Sequence, residues 1–160
     1  DVVPPMSTKR DGPAVAALAG QIYVSGGSNS ERGPLSSAER FDPELVATAA
    51  WETLPAMAAP RDGPAGAAAA GHIYVCGGFD GEKRLSSVER YDAEGRCWQA
   101  APDMLERRFG AVAAVLGGHL YLCGGGNGEE RLASAERFDL KRLTWERLPA
   151  MSVARDGATA

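Results

Sequence analysis

Short stretches of alternating apolar and polar residues recur along the chain, and this period of two predicts strands rather than helices. In the middle of the sequence, residues 72–76 alternate, a polar turn-like segment follows, and residues 87–91 alternate again. Two more extended stretches, 63–70 and 97–101, stand on either side. Each period of the chain therefore predicts four short strands.

The same landmarks occur three times at nearly constant spacing. YVSGG at 23–27 recurs as YVCGG at 74–78 and YLCGG at 121–125, at offsets of 51 and 47 residues. After each of these motifs comes the sequence Glu-Arg-aromatic-Asp, and a tryptophan follows it in every copy. The step from this Asp to the tryptophan is nine positions in the first copy and six in the others, which predicts a longer first turn at residues 43–50.

This frame resembles the kelch repeat of β-propellers, whose marks are the double glycine, an aromatic residue followed by Asp, and a downstream Trp. The resemblance implies an all-β fold, a kelch-type β-propeller with about three four-stranded antiparallel blades. We expect repeat units at roughly 10–57, 61–104 and 108–151, with 1–9 and 152–160 forming strands of flanking blades, so that 1–160 is a segment of one larger propeller domain. The predicted frame residues are Gly26, Gly27, Gly77, Gly78, Gly124, Gly125, Trp51, Trp98, Trp145 and Tyr91.

The glycine pairs are predicted to end strands, not to cradle a phosphate. A phosphate loop needs a strand, a glycine turn and then a helix, whereas the residues after Gly77 and Gly78 lead into another strand. Neither GxGxxG nor GxxxxGK[ST] occurs in the sequence. Residues without Cβ let the chain turn at positive φ and let neighbouring backbones approach closely, which is the role we expect here.

Composition narrows the classes of partner. The net charge is −4, with 17 basic residues spread among 21 acidic ones, so a nucleic-acid partner is not expected. No apolar run reaches the roughly 18 residues of a membrane helix, and no membrane insertion is expected.

His72 and Cys76 are four residues apart on a predicted strand, which places them about 13 Å apart, too far to share a zinc ion. We expect no metal or cofactor, three reduced cysteines, and an intracellular, cytoplasmic location.

An arginine stands at every junction between repeats. In a propeller these positions precede the innermost strand, so a ring of guanidinium groups is expected around one mouth of the central channel, where it can clamp carboxylates of an acidic peptide. In the alternative, each arginine pairs with the Asp that follows it, as in Arg-Asp-Gly at 61–63, although Phe109 replaces this Asp in the third copy. The candidates are Arg10, Arg61, Arg108 and Arg155.

The loops after the double glycine differ in sequence between copies while the frame does not, as expected of loops that meet a partner. Phe79 is either an anchor for that partner or a cover for the end of its own blade. The remaining candidates for partner contact in these loops are Asn29, Asp80 and Asn127.

The function that this resemblance implies is a protein-interaction module or scaffold, which binds a peptide or protein partner through the loop face of a kelch propeller. Such a module can belong to a large multi-subunit assembly, or be the substrate-recognition part of a cullin ubiquitin-ligase adaptor. The other class is a propeller enzyme or sugar-binding domain. No Ser-His-Asp or Cys-His arrangement can be assembled from the sequence, so no catalytic residue is expected.

Overall fold

The computed structural model describes residues 4–45 and 50–157. Within them a single 3₁₀ turn, Pro43–Leu45, begins the longer first turn, and residues 46–49 of that turn lie outside the described residues. The strands are β1 (Ala14–Leu18), β2 (Gln21–Ser25), β3 (Ser28–Asn29), β4 (Gly33–Pro34), β5 (Ala38–Phe41), β6 (Glu52–Leu54), β7 (Ala65–Ala69), β8 (His72–Cys76), β9 (Val88–Asp92), β10 (Cys97–Ala101), β11 (Val112–Leu116), β12 (His119–Cys123), β13 (Ala135–Asp139) and β14 (Thr144–Leu148).

Twelve of these strands form three four-stranded antiparallel sheets, in the orders β1-β2-β5-β6, β7-β8-β9-β10 and β11-β12-β13-β14. The first strands of the sheets, β1, β7 and β11, lie next to one another. This arrangement confirms the predicted all-β propeller blades, and the strands β3 and β4 add only a small hairpin to the first loop. No helix in the described part of the chain has the length and apolar character needed to cross a membrane.

The predicted flanking segments are described only in part. Residues 4–9 and 152–157 have irregular backbone and bends, and residues 1–3 and 158–160 lie outside the described residues. Residues 4–9 occupy the place before the first sheet that 55–60 occupy before the second, since Trp51 and Trp98 each donate a hydrogen bond to a proline carbonyl in these segments.

Two apolar cores lie between successive sheets. Between the first and second, the rings of Tyr23 and Tyr91 are 6.1 Å apart, and between the second and third, those of Tyr74 and Phe138 are 6.2 Å apart. Strand β8 of the middle sheet is buried on both faces because each face meets a neighbouring sheet. Blade-to-blade burial, rather than burial within one sheet, therefore supplies the core.

Small residues line the inner strands because these strands converge. A Cβ on Gly66 of β7 would come within 2.7 Å of the Cβ of Ala14 on β1, closer than two carbon atoms can pack. The alanine-rich composition of 65–69 is thus a consequence of sheets that meet edge to edge at a narrow axis.

The tryptophans join each blade to the preceding connection. Trp98 packs on Tyr91, its cross-strand partner, with ring centroids 5.2 Å apart, and its Nε1 donates to the carbonyl oxygen of Pro55 at 2.8 Å. Trp145 repeats this with Phe138 at 5.0 Å and with Pro102 at 2.8 Å. The aromatic pair thus lies where one blade ends and the next begins.

The glycine pairs allow the next blade to approach. Gly77 has φ +66°, and a Cβ there would lie 2.3 Å from the carbonyl oxygen of Arg108 at the start of the third blade. The N–H of Gly78 donates to the same oxygen at 2.8 Å. A side chain at position 77 would therefore push the two blades apart.

We expect Gly77→Ala to lower the free energy of unfolding much more than Gly71→Ala. Both glycines have positive φ, 66° and 76°, but nothing lies within 4 Å of a Cβ at Gly71. Gly71→Ala should cost about 1–2 kcal/mol from backbone strain alone, and Gly77→Ala adds the clash. Urea unfolding of both variants measures the difference, and equal losses would contradict the blade-contact role of Gly77.

Candidate partner-binding face

Two kinds of segment lie together at one end of the blades: the loops between the second and third strands, and the segments that precede the first strands. The loops between the second and third strands of each sheet pair there, through isolated β-bridges, with the segments that precede the first strands. Asp62 bridges to Phe79 in the second blade, and Phe109 bridges to Gly126 in the third. We call this surface the loop face, and it comprises residues 7–13, 58–64 and 105–111 with 26–37, 77–87 and 124–134.

The side chains of the junction arginines Arg10, Arg61 and Arg108 are buried beneath the surface of the loop face. The side chain of Arg61 is 1 % exposed, and its Nε and Nη2 donate to Oε1 of Glu89 at 3.2 and 3.0 Å. Its Nη1 donates to the carbonyl oxygens of Gly77 and Ser87, and Nη2 also donates to the Ser87 hydroxyl. One guanidinium group therefore joins the glycine pair, the third strand and the chain that enters the blade.

The other two blades contain the same network. Arg10 donates to Glu39, and Arg108 donates to Glu136 through Nε at 2.7 Å. Each carboxylate also accepts a backbone N–H from the segment that enters the blade, for example from Ser7 to Glu39 at 2.8 Å. The recurring Glu of the third strand is thus the buried partner of the recurring Arg.

This geometry corrects the predicted clamp. Arg10, Arg61 and Arg108 form no ring of free guanidinium groups, because their side chains are buried and their donors are used within the blade. The alternative partner, the adjacent Asp, is also wrong for Arg10 and Arg61, because a glutamate far away in sequence accepts instead. Arg155 differs in being exposed, and its backbone carbonyl accepts the N–H of Gly125 at 2.7 Å.

The inner strands β1, β7 and β11 begin at the loop face, where a ring of arginines was predicted around the mouth of the channel. The residues at this mouth are aspartates and glycines. Oδ1 of Asp62 lies near Gly12, and Oδ1 of Asp156 lies near Gly110. A recess of about 530 Å³ opens there, lined by the small residues at the starts of the inner strands. Aspartate side chains, not arginine side chains, therefore lie beside this recess.

Three of the predicted contact residues organise their own loops. The side-chain oxygens of Asn29, Asp80 and Asn127 each accept two backbone N–H groups from residues two and three positions ahead. The N–H groups of Lys83 and Glu82 hold the pKa of Asp80 below its usual range. Each residue thus closes an Asx turn that shapes the loop.

Phe79 is half-buried and does not stand alone. The guanidinium carbon of Arg84 lies 5.0 Å from the centre of the Phe79 ring and 5.7 Å from that of Phe109. Arg84 was missed in the sequence analysis, although Arg131 recurs at its position in the third copy. The three side chains form one cluster across the second and third blades.

The three cysteines, Cys76, Cys97 and Cys123, form no disulfide with one another. All three are free, and burial raises the pKa of the Cys76 thiol to about 12. Within 4–45 and 50–157, no three His, Cys, Asp or Glu side chains are grouped so as to hold a metal ion.

Comparison with known proteins agrees with this blade architecture. A family model described as the KLHDC2/KLHL20/DRC7 Kelch-repeats domain matches residues 2–158. The chain belongs to the kelch-repeat family. The solved "Structure of YjhT" superposes with a TM-score of 0.82 over 95 % of this chain and 54 % of that one, at 18 % identity, which shows a shared fold.

Curated relatives match over shorter stretches. Human "Kelch-like protein 33" is 36 % identical over 89 residues, which are 55 % of this chain and 16 % of that protein. Human "Kelch-like protein 4" is 39 % identical over 56 residues, 35 % of this chain and 7 % of that protein. An F-box/kelch-repeat protein of Arabidopsis thaliana is 33 % identical over 102 residues, 58 % of this chain and 24 % of that protein. The matches thus span less than a quarter of the length of each relative.

We expect Arg61→Ala to lower the free energy of unfolding by about 3–5 kcal/mol, because it leaves the Glu89 carboxylate buried without its cation. Arg32→Ala removes the same charge from an exposed loop position and should change stability by only about 0.5 kcal/mol. Urea unfolding compares the two. A stable Arg61→Ala that loses only partner binding would restore the predicted clamp.

Stability should also fall in acid through Glu39. Burial alone would raise the pKa of this carboxyl, but the hydrogen bond from Ser7 and the charge of Arg10 outweigh burial and lower it. A lowered pKa stabilises the fold above the unfolded value of about 4.3, and this contribution is lost as the pH falls through the folded pKa. The stability gap between wild type and Glu39→Gln should therefore narrow from about pH 7 to about pH 3 in urea unfolding. A constant gap would contradict the assignment.

Proposed function

We propose that this kelch domain is a protein-interaction module that binds a protein partner, presented as a peptide segment, on its loop face. The observation that carries the proposal is the contrast between the two ends of the blades. At the opposite end, the first and second strands are joined by tight two-residue turns such as Ala70-Gly71, and the third and fourth strands by short turns at 93–96 and 140–143 and by the longer first turn at 42–51. On the loop face, longer loops of differing sequence stand on a repeated frame, as in binding surfaces on rigid scaffolds.

The chemistry of the partner follows from which side chains are free. Because Arg10, Arg61 and Arg108 are neutralised within the blade, the attraction of an acidic peptide to a broad ring of arginines loses its basis. The loop face offers instead exposed charges of both signs in its loops, and the half-buried rings of Phe79 and Phe109. A mixed polar surface with aromatic anchors is typical of specific protein interfaces.

Two narrower roles are compatible with this proposal. A scaffold subunit of a large assembly would use the same loop face. A substrate-recognition role in a cullin ubiquitin-ligase adaptor is favoured by the word F-box in the name of the Arabidopsis thaliana relative. Both are versions of protein binding and share the test below.

The test is affinity capture of the full-length protein from cell extract, read by mass spectrometry, for two charge-matched variants. Glu82→Lys with Glu129→Lys reverses two exposed charges on the loop face. Glu44→Lys with Glu94→Lys reverses two exposed charges on the turns at the opposite end. We expect the partners of the wild type to be lost only from the loop-face variant.

Both variants should retain the thermal unfolding midpoint of the wild type, because all four side chains are exposed. Loss of the partners from the opposite-end variant alone would place binding on the other face and overturn the proposal. The same would follow if the two variants captured the same partners as the wild type, or if the wild type enriched none.

A further inference from the structure

We propose that Arg84 is an anion-recognition residue of the loop face, which takes a carboxylate side chain of the partner segment. This inference rests on the proposed function. Arg84 precedes Leu85 at the end of the second loop, and its guanidinium carbon lies over the rings of Phe79 and Phe109, 5.0 and 5.7 Å from their centres. A guanidinium at these distances is held by cation–π attraction to both rings.

Among the described residues, no group accepts a hydrogen bond from the guanidinium group of Arg84. Within the described residues its side chain makes no hydrogen bond and no ion pair, and it is half-buried. Arg61 uses the same chemical group in the opposite way, since its donors go to Glu89, Gly77 and Ser87. Cation–π contact does not use the N–H donors, and the planar fork of a guanidinium group can bind a carboxylate through two parallel hydrogen bonds.

The cluster is specific to the groove between the second and third blades. At the position of Phe79 the other loops have Ser28 and Gly126, and at the position of Phe109 the other junctions have aspartate. Arg131 is the counterpart of Arg84 in the third blade, but aromatic rings do not flank its position in the repeat. The repeat frame therefore does not require the cluster.

Two glycines make room for it. A Cβ on Gly63 would lie 2.6 Å from Cε2 of Phe109, so the ring occupies space that only a glycine leaves. A Cβ on Gly128 would lie 3.4 Å from Cδ of Arg84, tight against the stem of the side chain. The groove is thus shaped from both sides to hold Phe109 and Arg84 in place.

The rest of the groove selects the kind of anion. Arg84 and Phe109 line a groove of about 280 Å³, whose lining also includes a second arginine, Arg131, and three acidic residues, Glu129, Glu130 and Asp156. These acidic groups repel a doubly charged phosphate more than a singly charged carboxylate. They also offer acceptors to backbone N–H groups or to a basic side chain beside that carboxylate. The groove therefore fits one Asp or Glu side chain on a segment that otherwise carries donors.

The test uses random linear peptides displayed on phage, selected on the full-length protein and then on its variants. Arg84→Ala removes the guanidinium, and Phe109→Asp installs the residue of the other junctions, whose carboxylate would occupy Arg84. Lys83→Ala is the control, because it removes one exposed positive charge from the same loop and does not line the groove. Thermal midpoints establish that each variant is folded.

We expect peptides selected by the wild type to share an acidic residue at one position, and Lys83→Ala to keep that preference. Changing this residue to its amide should weaken binding to the wild type about tenfold or more. Changing the acidic residue of the peptide to its amide should not alter binding to Arg84→Ala or to Phe109→Asp. This comparison is a double-mutant cycle that measures the interaction between Arg84 and the acidic residue of the peptide. Arg84→Lys should restore only part of the effect, because lysine lacks the planar fork.

Failure of this inference is distinguishable from failure of the proposed function. Peptides that bind the loop face, as judged by their loss from Glu82→Lys with Glu129→Lys, but show no acidic preference dependent on Arg84 would overturn the role of Arg84 and leave the interaction module standing. If no peptide binding depends on the loop face, both proposals fall.

Discussion

The buried ion pair between a junction arginine and a third-strand glutamate is the interaction on which each blade depends. In the second blade, Arg61 and Glu89 hold together the chain that enters the blade, the end of its second strand and the start of its third. Burying two charges costs several kcal/mol per ion, and only a full set of hydrogen bonds offsets it. The guanidinium donors and the carboxylate oxygens have that set here, since backbone groups complete what the pair leaves open.

The glycine pair connects the same segments as this ion pair, but through its backbone groups. The first glycine leaves its carbonyl to the arginine of its own blade, and the second donates its N–H to the carbonyl of the next junction arginine. The same short stretch thus closes one blade and attaches the following one. Neither contact tolerates a side chain at Gly77, because the backbone of Arg108 occupies the space that a Cβ would take. Tryptophan hydrogen bonds to proline carbonyls reinforce the same junction from the outer strands.

The structure places two kinds of arginine at this end of the blades. Arg61 and Arg108 are consumed by the frame, and charge buried in this way is not available to a partner. Arg84 is positioned by aromatic stacking, which fixes the guanidinium without using its donors. Arg61 and Arg84, 23 positions apart, therefore have different surroundings, because Arg61 donates to a carboxylate inside the blade and Arg84 lies over two aromatic rings.

The repeat was sufficient to predict the strands, the blades and the close backbone approach at the glycine pairs. These properties depend on local periodicity and on the absence of a Cβ, which are read directly from residues near one another in the chain. The partner of Arg61 could not be predicted in this way, because Glu89 is 28 residues distant and only strand pairing brings it beneath the junction. Proximity in sequence favoured Asp62, whose carboxylate turns toward the mouth of the inner strands.

The sequence by itself determined that this protein is a tandem array of kelch blades, because every copy repeats the same spacing of glycine, aromatic and tryptophan residues. Only the tertiary structure decided which charges are free. Packing between blades buries Arg61 and Arg108 with their glutamates and brings the rings of Phe79 and Phe109, from different blades, into contact with Arg84. The physical reason is that burial and stacking are properties of surfaces in contact, and those surfaces come from residues far apart in the chain.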